Sequence, residues 1–169
     1  MLAELVERAT INPLVVNTAR MIVSPYVDPE RQRDERLEWR QLNAIFNAVK
    51  NGDSRVQPLK NGFKYVNDPR YADYFASPID TLQNCLKGAC AGDCDEHAAL
   101  LCALCGGVGF QCALRAWGPK NANGYSHVYA MAAFPKANPK KWVPMDTTVP
   151  SSTLGWEPPR GNVLNAIFE

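Results

Sequence analysis

Three residues that lie far apart in the sequence have the types that acyl transfer through a thiol requires. Cys94 follows a glycine and an aspartate, His127 is one of 2 histidines, and Asp146 ends a run of aromatic and branched residues. A thiol that attacks a carbonyl carbon needs a base beside it, and that base needs a third group to orient it. We therefore take Cys94 as the candidate nucleophile, His127 as the candidate general base and acid, and Asp146 as the candidate orienting carboxylate.

The predicted position of Cys94 favours its thiolate form. Gly92-Asp93 is typical of a helix N-cap, and apolar residues then recur at helical spacing as far as Gly106-Gly107. Free backbone N–H groups and the helix dipole stabilise an anion in a first helical turn. Because the neighbouring carboxylates oppose this by repulsion, we expect a cationic histidine to complete the activation.

His127 fits this role better than His97, which lies three residues after Cys94 on the same predicted helix and is expected to be a surface or partly buried polar residue. If the turn near Asn138 closes a hairpin, His127 lies opposite Thr148, two positions from Asp146. Diagonal neighbours of this kind have Cα atoms about 7–8 Å apart, so an imidazole N–H can reach the carboxylate. A register shifted by one residue would put the two side chains on opposite faces.

The remaining patterns predict the elements that hold these side chains. Apolar residues at helical spacing predict two short helices before Pro25 and a third from Asp28 to Asn51, whereas 52–78 is predicted to be mostly surface loop. Aromatic and branched residues predict three antiparallel strands, within 110–117, 125–134 and 142–147. We expect one α+β domain, 1–169, in which a helical N-terminal half precedes a core helix that begins at Cys94 and packs on an antiparallel sheet.

Length and charge exclude several classes of protein. The formal net charge of +1 gives no basic field for a phosphate backbone, so nucleic acid is not an expected partner. The N-terminal residues do not follow a secretory signal pattern, and no apolar run approaches the ~20 residues that cross a bilayer. We therefore expect a cytoplasmic protein without membrane segments.

The 6 cysteines all lie between Cys85 and Cys112. In a chain that is not exported we expect reduced thiols and no Cys85–Cys90 disulfide. Cys102 and Cys105 have the spacing of a zinc knuckle, but both fall on the apolar face of the predicted helix, where cysteine acts as a small hydrophobic residue. A metal or iron–sulfur site is the lesser alternative, with this set of ligands: Cys85, Cys90, Cys94, His97, Cys102 and Cys105.

Three ordered motifs resemble the transglutaminase-like superfamily, a papain-like group of enzymes. They are Gly92-Asp93-Cys94-Asp95-Glu96-His97-Ala98, Gly124-Tyr125-Ser126-His127-Val128-Tyr129 and Trp142-Val143-Pro144-Met145-Asp146-Thr147-Thr148. The resemblance covers 63–156, which it implies is the catalytic core, and 1–50 is then a helical N-terminal segment. It implies the same roles for Cys94, His127 and Asp146. Three further stretches resemble a short branch encoded among phage and prophage structural genes: Tyr65-Val66-Asn67-Asp68, Ser77-Pro78 with Thr81-Leu82, and the closing 154–158.

The resemblance implies a cysteine hydrolase or acyltransferase that acts on a peptide or amide bond through a thioester. The Cys94 N–H and a further donor, for which Gln83 and Asn84 are candidates, would bind the oxyanion. No Asp-rich calcium loop is evident, so we expect no metal and no cofactor. The phage-like similarity implies phage structural proteins as partners, and the host cytoplasm or the virion as the location. The alternative function is a structural or assembly protein that keeps the fold without turnover and docks through 1–50.

Overall fold

The computed structural model describes residues 1–68 and 75–167, and that part of the chain contains five α-helices and six β-strands. The helices are α1 (Leu2–Thr10), α2 (Pro13–Val23), α3 (Glu35–Asn51), α4 (Pro78–Leu86) and α5 (Cys94–Gly107). The strands are β1 (Lys64–Tyr65), β2 (Ala91–Gly92), β3 (Cys112–Gly118), β4 (His127–Phe134), β5 (Lys141–Met145) and β6 (Asn162–Ile167). The predicted α+β class is confirmed.

The N-terminal half is helical as predicted, with one corrected boundary. Asn12 caps α2 by accepting a hydrogen bond from the N–H of Leu14. The third helix was predicted to begin at Asp28, but Asp28 accepts from Glu30 N in a turn, and α3 begins after Asp34, whose side chain accepts from two N–H groups of the first turn. Both aspartates are good cap residues, and the apolar stripe that packs on the core begins only after the second.

Helix α5 lies at the centre of the fold. Its residues from Glu96 to Cys105 are all buried, and helices α1 to α4 and strand β4 pack around it. A helix that is apolar on every side is stable only where other elements cover all its faces. The N-terminal helices supply that cover on one side and the sheet supplies it on the other, so the start of α5 is rigidly placed.

The antiparallel sheet has the strand order β5-β4-β3-β6. In the β4–β5 hairpin, Ala130 pairs with Met145 and Phe134 pairs with Lys141, which confirms the predicted register. Asn138, in the connecting turn, has a φ of 52°, a left-handed conformation that asparagine tolerates. Strand β6, which pairs with β3, was not predicted.

Two short parallel strands connect the central helix to the region predicted as loop. Tyr65 of β1 pairs with Gly92 of β2, directly before the start of α5. The region 52–78 also contains a 3-10 helix, Gln57–Leu59, while its residues 69–74 lie outside the described part. Helix α4, which was not predicted, follows immediately and is capped by Ser77, which accepts from Asp80 N.

The prediction that all six cysteines are thiols was wrong, because Cys85 and Cys90 form a disulfide. The chain reverses at the end of α4, where Gly88 has a φ of 88° and Ala89 N donates to Asn84 O. This reversal brings the two Cα atoms within 4.1 Å of each other, close enough for the sulfurs to bond. Among the described residues, no helix is long and apolar enough to span a membrane.

Candidate active site

Cys94 is the first residue of α5, as predicted, and it is partly accessible to solvent. Asp93 caps the helix by accepting from Asp95 N, and Glu96 reaches back to accept from Asp93 N at 2.8 Å. This reciprocal capping box fixes the backbone on both sides of the thiol. The Cys94 thiol therefore lies at the positive end of the α5 dipole, beside the free backbone N–H groups of the first helical turn.

Glu96 also ties this helix start to the chain before α4. Its second carboxylate oxygen accepts from Ala76 N at 3.1 Å, and the side chain is buried. Burial raises the pKa of Glu96, while the hydrogen bonds from Asp93 and Ala76 partly offset this. A Cβ on Gly92 would lie 2.3 Å from a Glu96 carboxylate oxygen, so only glycine fits beside this buried group.

His127 and Asp146 are brought together by the β4–β5 hairpin. His127 begins β4, Asp146 directly follows β5, and His127 Nε2 lies 2.6 Å from Asp146 Oδ2. The predicted register accounts for this contact, since it puts both side chains on one face. The Asp146 side chain is 1% exposed, whereas the imidazole keeps 20% of its surface open to solvent.

Hydrogen bonds from its own loop hold the second oxygen of Asp146. Asp146 Oδ1 accepts from the backbone N–H of Thr148 at 3.0 Å and from the Thr148 hydroxyl at 2.7 Å. Burial alone would raise the pKa of Asp146, but the hydrogen bonds from His127 and Thr148 outweigh it and lower the pKa. The carboxylate thus stays ionised and faces the imidazole.

Asp146 hydrogen-bonds to His127, and Cys94 is near enough to the ring to act on its pKa. Burial opposes the charged imidazolium, but the interactions of the ring with Asp146 and with Cys94 raise the pKa of His127 to about 9. Because Nε2 is engaged by Asp146, Nδ1 is the ring nitrogen left for a proton exchange with Cys94 or a substrate. The structure thus brings the three predicted site residues together in the order Cys94, His127, Asp146.

His97 has a structural position near the site that its sequence context did not indicate. It is 1% exposed, its Nδ1 lies 2.8 Å from Thr147 Oγ1, and its ring packs against Phe63 at 4.6 Å between centroids. Burial lowers the pKa of His97 to about 4, so the ring is neutral where the His127 ring is charged. The available signal was its spacing, because i+3 lies next to Cys94 on a helix.

Tyr65 flanks the thiol on the side of the short parallel strands. Burial, followed by the negative charges of Cys94, Asp93 and Asp146, raises the pKa of its phenol. Its hydroxyl donates to Asn67 Oδ1 at 2.8 Å, and 47% of the residue is exposed. Tyr65 therefore lies near the thiol, a position that its stretch in the sequence did not indicate.

The two predicted oxyanion donors occupy different positions on α4. Gln83 is exposed, whereas Asn84 is partly buried and lines a cavity of about 290 Å³ beside Gly92. This cavity lies next to the strand that leads into Cys94. Neither amide makes a described hydrogen bond to the thiol, and both stay predictions.

The cysteine-based metal alternative is weakened by the structure. Cys85 and Cys90 are joined to each other, so neither offers a thiolate. Cys102 and Cys105 are buried, with their sulfurs against Ala113 O and Met145 Sδ. Among the described residues, one group has ligand atoms close enough to share an ion, within 4.8 Å of one another: Asp93, Cys94 and Asp95. Within this group, Asp93 caps α5 and Cys94 Sγ lies 4.0 Å from Asp95 Oδ1.

Comparison with known proteins assigns the family. The profile of the transglutaminase-like superfamily matches residues 31–147, more than half of the chain. The protein therefore belongs to the transglutaminase-like superfamily, in agreement with the resemblance of its three motifs. None of the curated proteins compared with the sequence matches it.

A solved structure that resembles this one is a candidate cysteine protease from Cytophaga hutchinsonii. The two chains are 18% identical, with a TM-score of 0.45 over 85% of this chain and 53% of the other. The present chain thus spans about half the length of that protein.

Proposed function

We propose that this protein is a cysteine hydrolase or acyltransferase that cleaves a peptide or side-chain amide bond through a thioester on Cys94. The observation that carries the proposal is the placement of His127, whose Nε2 lies 2.6 Å from Asp146 Oδ2 and whose pKa is raised by both Asp146 and Cys94. This is the arrangement of nucleophile, base and orienting group that acyl transfer requires.

The first half of the reaction forms the thioester. The Cys94 thiolate attacks the carbonyl carbon, and the N–H groups of the first turn of α5 stabilise the oxyanion. The C–N bond then breaks, and the His127 imidazolium gives its Nδ1 proton to the departing nitrogen. The products of this half are a free amine, an acylated Cys94 and a neutral imidazole.

The second half releases the acyl group. The neutral His127 ring removes a proton from water, whose oxygen attacks the thioester carbon, and the C–S bond breaks to restore thiolate and imidazolium. An amine that takes the place of water gives transamidation by the same steps. We propose hydrolysis as the main reaction, because the described residues near Cys94 do not form an evident site for a second amine.

Asp146 acts throughout by holding the imidazole. As an ionised carboxylate against Nε2, it fixes the ring orientation and stabilises the imidazolium that protonates the leaving amine. The raised pKa of His127, about 9, keeps that proton in place at neutral pH.

The decisive experiment measures hydrolysis and acyl transfer on one substrate. A glutamine-containing peptide is incubated with the protein and hydroxylamine; mass spectrometry then distinguishes glutamate from hydrolysis, hydroxamate from transfer, and peptide-bond cleavage. A mixed peptide digest is assayed in parallel. We expect turnover that is lost in Cys94→Ala and kept in Cys112→Ala, which removes a buried thiol from the far side of the core.

Turnover by Cys94→Ala at the wild-type rate would refute the proposal. An absence of turnover on every substrate, together with equal reactivity of Cys94 and the buried thiols, would favour the non-catalytic assembly protein. Phage structural proteins stay predicted partners, on the residues of the short-branch resemblance alone.

A further inference from the structure

The last turn of α3 connects the N-terminal helices to the candidate active site. Lys50, the second-last residue of α3, extends its ammonium to the loop after β5 and donates to Val149 O at 3.0 Å, to Ser152 O and to Ser152 Oγ at 3.1 Å. An ammonium has three hydrogens, and here each finds an acceptor on one loop.

This loop is the one that holds the orienting carboxylate. Ser152 is 4% exposed, its hydroxyl accepts from Lys50, and the one hydroxyl hydrogen lies within reach of two carbonyl oxygens of the same loop, those of Asp146 and Val149. A continuous series of hydrogen bonds therefore runs from the ammonium through Ser152 to the backbone of Asp146. Buried series of this kind hold a backbone more firmly than separate contacts do.

Lys50 is itself held in place on two sides. Its ammonium lies 5.6 Å from the ring centroid of Phe46, one turn earlier on α3. The same turn is joined to the start of β1 by a hydrogen bond from Phe63 N to Val49 O at 2.7 Å. The scaffold thus holds the backbone that carries Lys50 and one side of its ammonium, independently of the loop that the ammonium binds.

We propose that Lys50 is a positioning residue, which fixes the 146–152 loop so that Asp146 Oδ2 stays in line with His127 Nε2. This inference rests on the proposed function and deepens it, because it gives the N-terminal helical segment a part in the site. Without the ammonium, three carbonyl and hydroxyl oxygens lose a common partner, and the loop can turn the carboxylate away from the ring.

The titration of His127 tests this directly, because the chain has 2 histidines and NMR can follow both rings. The ionisable groups that face His127 are Asp146, Cys94 and, at 6.0 Å between rings, Tyr129. Three further ionisable side chains interact with Asp146: Lys50, His97 and Tyr65. Removal of a cation near Asp146 would by itself stabilise the imidazolium and raise the pKa of His127. Loss of positioning has the opposite sign.

In the full-length chain we expect Lys50→Met to lower the pKa of His127 by about one unit or more, a tenfold change in its protonation equilibrium. Lys50→Arg keeps a cation with hydrogen-bond donors, so the pKa of His127 in this variant should fall by no more than half as much as in Lys50→Met. Lys60→Met makes the same change at an exposed lysine of the loop after α3 and should leave the titration as it is.

Ser152→Ala keeps the charge and removes the hydroxyl link, so it should also lower the pKa of His127. It carries the test if Lys50→Met does not fold. An unchanged or raised value in both variants, with a wild-type value near 9, overturns this inference and leaves the proposed function standing. A wild-type His127 that titrates near 6.5 would contradict both.

Discussion

His97 Nδ1 lies 2.8 Å from Thr147 Oγ1, and this contact joins the helix that begins at Cys94 to the loop that holds Asp146. Cys94 and Asp146 come from segments about 50 residues apart in the sequence, and the contact between His97 and Thr147 joins the same two segments. The pKa of His97, about 4, lies below the pH range in which the site would work. The buried imidazole therefore stays neutral and keeps its contact with Thr147 throughout that range.

The two histidines should give the free energy of unfolding opposite dependences on pH. The unfolded chain protonates His97 below about pH 6.5, whereas the folded protein resists this down to about pH 4. Stability is therefore lost as pH falls through that window, by about 3 kcal/mol for a shift of this size. We expect His97→Gln to remove this part of the pH dependence, measured by urea denaturation from pH 7 to pH 4.

The control is His127→Gln. Because the pKa of His127 rises from 6.5 to about 9 on folding, its contribution is complete below pH 6.5 and disappears as pH rises through 9. This variant should keep the acid dependence of the wild type. An acid limb that is the same in His97→Gln and in the wild type would contradict a neutral buried ring.

Asp146→Asn should move the alkaline limit of the reaction. Turnover needs an imidazolium to protonate the leaving amine, so the wild-type rate should fall as pH rises through about 9. Loss of the negative charge lowers the pKa of His127 and moves this limb toward neutral pH. We expect turnover at pH 8 to fall by about 10²- to 10⁴-fold, as measured by a pH–rate profile. An alkaline limb of the Asp146→Asn pH–rate profile that stays near pH 9 would contradict the role of Asp146 in raising the pKa of His127.

The cysteines should react in three distinct stages. Iodoacetamide on the native protein should label Cys94 first, because the other free thiols, Cys102, Cys105 and Cys112, are buried. After unfolding without a reductant the protein should take up 4 labels, and after reduction all 6. Intact-mass measurements count them. Six labels before reduction would show that Cys85 and Cys90 are not joined.

Gly92→Ala should disturb the start of α5. Its Cβ would lie 2.3 Å from a Glu96 oxygen and 2.7 Å from the Phe63 ring, so the carboxylate must leave Asp93 N. We expect a loss of about 1–3 kcal/mol in stability and slower alkylation of Cys94. Gly107→Ala is the matched control, because its Cβ would meet nothing closer than 3.5 Å and should be tolerated. Equal behaviour of the two variants would argue against a tight capping box.

The site could be predicted from the sequence because local rules determine its parts. A cap at Asp93 sets the start of α5, and the turn at Asn138 sets the hairpin register, which together place Cys94, His127 and Asp146 on known elements. Their closeness in space depends on how α5 packs against β4, and spacing along the chain does not contain that information.

The features that were missed depend on tertiary context. Asp28 and Asp34 are both good helix caps, and only packing decides between them. The disulfide needs the chain reversal at Gly88, and Lys50 is an ordinary basic residue at a helix end until the loop after β5 folds against it. His97 was expected to be a surface or partly buried residue, and its packing against Phe63 and Thr147 buries it.

The unpredicted strand β6 protects the sheet. It pairs with β3 from Ala113 to Gly118, and the Trp117 indole N–H, which donates to Pro159 O at 2.8 Å, anchors the segment before it. A shortened protein that stops at Pro158 would leave a row of unsatisfied amide and carbonyl groups along β3, a template for pairing with another copy. We expect such a protein to self-associate in light scattering at concentrations where the 169-residue chain stays dispersed.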